Sequence, residues 1–132
     1  MIERDMKPGY CYRARLDRVV DGDTIDVDLD LGFGVWLKGQ RLRLEGIDTP
    51  EVRGEEREEG LRSKDFVIRA LQEVSESGTP KPRDLIVETF KDKRGKYGRW
   101  IAIVWYQTGP ETYRNLNEEL VAHGLAKFTY YK

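Results

Sequence analysis

Hydrophobic and polar positions alternate through most of the first third of the chain, and the period then changes. From Tyr10 to Val20, Tyr12, Ala14, Leu16 and Arg18 fall opposite Cys11, Arg13, Arg15 and Asp17, a period of two that predicts a strand. Asp21-Gly22 follows as a hairpin signal. Thr24 to Leu31 repeats the alternation, with Ile25, Val27, Leu29 and Leu31 on one face and Asp26, Asp28 and Asp30 on the other. Gly32, Gly34 and Gly39 punctuate a long predicted turn carrying Phe33, Val35, Trp36 and Leu37. A third strand is predicted over Gln40 to Ile47, with Leu42 and Leu44 opposed to Arg41, Arg43 and Glu45.

Between Glu55 and Val74 the apolar positions Leu61, Phe66, Val67, Ala70, Leu71 and Val74 are spaced mostly by three and four. That spacing predicts an amphipathic helix whose acidic start suits the helix dipole. A loop of Ser, Gly, Thr and Pro spans Ser75 to Pro82. Strands are predicted at Asp84 to Phe90 and Trp100 to Tyr106, joined by the basic, glycine-bearing turn Lys91 to Arg99. After a loop from Gln107 to Thr112, a short helix is expected. Asn115 caps it, Glu118 is its capping-box partner, Gly124 ends it, and Leu116, Leu120 and Val121 form its apolar face. Three strands, helix, two strands, helix is the order of an OB-fold: an α+β, mainly β, five-stranded Greek-key barrel. Residues 1–9 read as a polar lead-in and residues 10–132 as one domain.

Composition narrows the chemistry. Charged residues make up 36% of the 132 residues, and the net charge is −1, which argues against a broad positive field for nucleic acid. The charge is local, however: Lys81 to Arg99 holds seven cations against three acids, and Glu51 to Glu59 five Glu against two Arg. No window matches a membrane span or a signal peptide. The expectation is a chain that stays in the cytoplasm where it is made, or is secreted if a leader has been removed. The single cysteine, Cys11, and the single histidine, His123, exclude an internal disulfide, a cysteine-rich zinc site and a Cys–His nucleophile. Cys11 is expected to pack and His123 to be structural or at the surface.

Chemistry therefore rests on carboxylates, arginines and tyrosines. Asp23, Asp48 and Glu51 lie at strand ends or turns. Two aspartates and a backbone carbonyl suit a hard cation that also keeps waters and a substrate phosphate. A spare carboxylate beside it would take a proton from water. Arg43 and Arg99 flank such turns, where guanidinium groups bind phosphate in a bidentate way; each also reads as a solvated strand residue.

Four separated motifs then stand in order: Val20-Asp21-Gly22-Asp23-Thr24; Arg43 through Asp48-Thr49-Pro50-Glu51; Lys96-Tyr97-Gly98-Arg99; and Asn117-Glu118 with Leu120-Val121 and Gly124-Leu125-Ala126-Lys127. Together they resemble the staphylococcal nuclease (thermonuclease) family over roughly residues 11–130. The resemblance implies an OB-barrel that hydrolyses DNA and RNA at the 5′ oxygen and leaves 3′-phosphate ends. It implies Ca²⁺ held by Asp23, Asp48 and the carbonyl of Thr49, with Asp21 tuning the site. Glu51 corresponds to the general base, Arg43 and Arg99 to the phosphate-binding arginines, and Lys96, Tyr97 and Tyr130 to residues touching the nucleotide. DNA and RNA are the implied partners, with no membrane, and a monomer is expected, with a dimer as the alternative. The other functional reading is a catalytically silent OB-type module that binds nucleic acid or protein.

Three departures from the staphylococcal pattern stand out. The hairpin holding Phe33 and Trp36 is longer, and its aromatics are expected to cover the barrel, with stacking on bases the other possibility. The loop after Glu51 is shorter and more acidic. The sequence also ends just past Tyr130, before the family's last helix, so apolar surface there is expected to be covered by Phe33–Leu37, by dimerisation, or left open.

Overall fold

The computed structural model of the chain describes residues 10–74, 77–91 and 100–129. Strands β1 (Cys11–Asp21), β2 (Thr24–Asp30) and β3 (Trp36–Leu44) run consecutively, followed by the short β4 (Ile47–Asp48). A 3₁₀ turn at Gly54–Glu56 leads into helix α1 (Arg57–Leu71), then β5 (Gln72–Val74), β6 (Pro80–Pro82) and β7 (Leu85–Lys91). The chain continues through β8 (Trp100–Gly109), β9 (Thr112–Asn115), helix α2 (Leu116–Ala122) and β10 (Lys127–Phe128).

The main sheet runs β3-β2-β1-β7-β8, and β3 returns to β8 in parallel from Leu42↔Trp100 to Leu44↔Ala102. That last pairing closes a five-stranded barrel, and β9 folds back on β8 outside the ring. The result is the mainly β OB-type barrel with two helices that the order of elements predicts. Its interior is the inward half of each alternating strand: Ile25 and Val27 from β2, Leu42 and Leu44 from β3, Leu85 and Val87 from β7, Ala102 and Val104 from β8. Val67 and Leu71 of α1 and Leu116 and Leu120 of α2 complete the core at zero exposure. Burying each side chain of this size is worth about 1.5–3 kcal/mol.

Asn115 caps α2 by accepting from the Glu118 amide at 3.1 Å. The helix ends in a Schellman arrangement at Gly124 (φ 70°), with Gly124 N donating to Val121 O and Leu125 N to Leu120 O, as its position predicts. The His123 ring packs 5.0 Å from that of Phe66 and joins the two helices.

Several expectations need correction. The third strand starts at Trp36, not Gln40. Gly32, Phe33 and Gly34 all take positive φ, so the chain reverses within Leu31–Val35 and Trp36 enters the ladder opposite Asp30. Helix α1 buries Gly60, Ser63, Val67 and Leu71, whereas Leu61 is exposed. Small residues set this face, because a Cβ on Gly60 would lie 2.1 Å from the carbonyl oxygen of Glu51. The expected loop before α2 contains strand β9. Finally, Cys11 is exposed, with its Sγ 3.8 Å from Glu88 Oε2.

Candidate active site

The barrel's closing seam builds the site. Gly46, at φ 76°, turns the chain between β3 and β4, a conformation glycine adopts without steric cost. The turn is then pinned from several sides. Leu44 N donates to Asp23 O, Glu45 N to Ala102 O and Thr129 N to Gly46 O, each at 2.8 Å. Asn117 of α2 is buried beneath it. Its Nδ2 donates to Glu45 O at 3.0 Å and Ala102 O at 3.1 Å, and its Oδ1 accepts from Val104 N at 3.1 Å. One amide thus ties three backbone groups of β8 and the turn together, where a buried polar group left unpaired would be costly.

On this frame Arg43 gathers the acids. The register pairs Thr24 with Arg43, which sets Asp23 beside the guanidinium. Arg43 Nη1 lies 3.5 Å from Asp23 Oδ2, while Nη2 donates to Ile47 O at 3.2 Å and also bonds Asp48 Oδ1. Asp23 is further held by Thr49 N on Oδ2 at 3.2 Å and by Thr24 Oγ1 on Oδ1 at 3.1 Å. The side chains of Arg43 and Asp23 are 14% and 15% exposed, and that of Asp48 49%. Two carboxylates thus share one guanidinium, and the excess charge is negative.

Gly22 packs so closely here that an added Cβ would meet Ser63 Cβ at 2.8 Å and Thr49 Oγ1 at 3.0 Å. Ser63 Oγ in turn donates to Leu125 O at 2.6 Å, so α1 and the segment after α2 brace the turn from behind. Neither Asn117 as a positioning residue nor the small pair Gly60 and Ser63 follows from hydrophobic patterning. A small residue recurring on the buried side of an amphipathic helix is the signal that points to the pair.

The remaining site residues divide into two groups. Glu51 follows the cluster, with its amide held by Glu56 Oε2 at 3.0 Å and its side chain exposed; it is not drawn onto Arg43. Asp21 is half-buried in the β1–β2 turn, opposite Thr24. Arg99, Lys96, Tyr97 and Tyr130 lie outside the described residues. A cleft of about 490 Å³, lined by Arg15, Lys81 and Arg83 among others, sits where β8 ends rather than where it meets β3.

Donor chemistry tests the implied cation. Among the described residues no group of three or more His, Cys, Asp and Glu converges, so the side-chain set is the Asp23–Asp48 pair. Thr49 brings a backbone carbonyl in sequence next to Asp48, and its buried Oγ1 has no hydrogen-bond partner among the described residues. An all-oxygen set with surplus negative charge, half open to water, fits a hard divalent cation.

Residues 41–132 match the family model described as staphylococcal nuclease homologue. The chain is 35% identical over 118 residues to the thermonuclease of Staphylococcus hyicus, covering 87% of this chain and 58% of that protein. It is 31% identical over 117 residues to the thermonuclease of Staphylococcus intermedius, covering 86% and 58%. It is 33% identical over 118 residues to protein ParB of Escherichia coli, covering 86% and 55%. The chain thus spans a little over half the length of these relatives. Among the described residues no helix is long and apolar enough to cross a membrane. The family match over most of the chain, on a barrel of the expected topology, shows that this protein belongs to the staphylococcal nuclease homologue family.

Proposed function

We propose that residues 10–132 form a Ca²⁺-dependent nuclease unit that hydrolyses DNA and RNA phosphodiesters at the 5′ oxygen and leaves 3′-phosphate ends. The observation that carries this reading is the convergence of Asp23 and Asp48 on Arg43 in a chain of nuclease ancestry. Asp23, Asp48 and the Thr49 carbonyl would hold the cation. When bound, it would neutralise phosphate charge and make nearby water more acidic.

The protein's own groups do the rest. Arg43, whose charge is permanent, is assigned the scissile phosphate and the charge that builds on the phosphoryl oxygens in the transition state. Arg99 is assigned the same task. Glu51, exposed beside the cluster, is assigned the proton of the attacking water. Lys96, Tyr97 and Tyr130 are assigned to nucleotide binding, and Asp21 to tuning the acidic pair.

The test is cleavage of single-stranded DNA and RNA by the purified chain in millimolar Ca²⁺ or in a chelator, with Asp23→Ala and Glu51→Gln alongside. The expected result is Ca²⁺-dependent cleavage that disappears in Asp23→Ala. In Glu51→Gln the rate should fall by several powers of ten while substrate still binds. Products with 5′-phosphate ends, or normal turnover by Glu51→Gln, would contradict the assigned chemistry.

A further inference from the structure

The outer face of β1–β3, leading from the acidic cluster to the β2–β3 tip, is layered by charge. Asp26 keeps only 13% side-chain exposure beneath Arg18 at 64% and Arg41 at 56%. Asp28 keeps 22% beneath Lys38 at 74%. Carboxylates lie underneath and cations on top, each cation positioned by the acid below it. Hydrogen bonds from Arg41 to Asp26, and from the Gly39 amide and Lys38 to Asp28, hold both acids below the usual carboxylate range. The layer thus stays charged at neutral pH.

Aromatic surface follows the cations. The half-buried Trp36 ring carries the Arg15 guanidinium 5.1 Å and the Lys38 ammonium 5.8 Å from its centre. At the tip Phe33 is fully exposed and sits at φ 56°, a backbone state that is costly for a bulky side chain. The turn nevertheless holds it firmly: Leu31 N donates to Val35 O at 2.9 Å and Gly32 N to Asp30 Oδ1 at 2.8 Å. Phe33 therefore does not cover the barrel. It is presented to whatever binds there.

We propose that this face carries a single strand of nucleic acid away from the Asp23–Arg43–Asp48 cluster, with phosphates on Arg41, Arg18 and Lys38 and a base stacked on Phe33. The proposal rests on the nuclease reading for where the strand starts, and it adds that the substrate is bound well beyond the scissile phosphate. The seven residues of β2 set the scale, since about 3.3 Å per residue gives a path of roughly 20 Å. A single strand is specified because stacking on an aromatic needs an unpaired base face. A polyanion is specified because the solvent-facing layer is cationic, although Leu31, Val35 and Leu37 are also exposed near the tip.

Fluorescence anisotropy of the full chain with a labelled oligodeoxythymidine long enough to span the face tests this. A calcium chelator separates binding from cleavage, and circular dichroism checks that each variant folds. Phe33→Ala should raise Kd about fivefold or more. The double variant Arg18→Gln, Lys38→Gln should reduce the slope of log K against log salt by about 1.4, at roughly 0.7 per lost phosphate contact. Both losses without any Ca²⁺-dependent cleavage by the wild type would support the track and defeat the nuclease reading. Unchanged binding in both variants would overturn the track even where cleavage is normal. So would a Phe33→Ala change confined to sedimentation, which would assign the tip to a protein contact.

Discussion

Two clusters of aspartate and arginine sit one step apart on the β2–β3 ribbon and have opposite stoichiometry. At the Thr24↔Arg43 pair, two carboxylates share one guanidinium. At the Asp26↔Arg41 pair, one carboxylate serves two guanidinium groups, Arg18 and Arg41. The residue types are the same, yet in direct contacts the first cluster is short of positive charge and the second has some to spare. The first is suited to a cation and the second to a phosphate. What separates them is Asp48, which the turn at Gly46 returns to Arg43, whereas the further acid near Arg41, Asp21, acts on it through charge alone.

The comparison breaks most sharply at the arginines. Arg43→Gln should lower the cleavage rate by about 10²–10³, the range for losing one transition-state charge donor. Arg41→Gln should leave kcat near normal and act on KM and its salt dependence. Equal kcat losses in steady-state assays would erase the distinction between the clusters.

A smaller effect is expected from what aims the first cluster. Asn117→Ala leaves the Val104 amide and the Glu45 and Ala102 carbonyls without their side-chain partner, which should cost about 2–4 kcal/mol. The midpoint of urea unfolding measures it, and an unchanged midpoint would show that the amide is dispensable. Smallest is the acid limb. Because the Asp26 carboxyl is held below its usual range, chiefly by the hydrogen bond from Arg41, its contribution is complete above its unfolded value of about 3.9. It is lost as pH falls through the lower folded value. Asp26→Asn should therefore lose that contribution near neutrality and flatten part of the stability loss below about pH 4, so that variant and wild type converge at acid pH in thermal unfolding at stepped pH.

The barrel was legible because period-two alternation survives in Ile25-Val27-Leu29 and Leu42-Leu44, whose inward positions are indeed buried. The start of β3 was hidden because the sharp reversal depends on positive φ at Phe33, which its side chain disfavours and no spacing rule anticipates. The buried face of α1 was legible in Val67, Leu71, Phe66 and Ala70 but not at its start, where close packing selects Gly60 and Ser63 over Leu61, which hydrophobic periodicity does not count. The meeting of Asp23 and Arg43 was foreshadowed by their places at a hairpin and a strand end. The role of Asn117 was not, since a buried amide with three backbone partners looks, in one dimension, like any polar residue on a helix.

Calcium binding followed by thermal unfolding, on the wild type, Asp23→Asn and Asp26→Asn, addresses the difference between the clusters most directly. A ligand bound only to the folded state raises its stability by RT ln(1 + [L]/Kd). The expected result is a Ca²⁺-dependent rise in Tm for the wild type and Asp26→Asn that is absent in Asp23→Asn. A rise retained in Asp23→Asn, or lost in Asp26→Asn instead, would contradict the assignment of the cation to the Asp23–Asp48 pair.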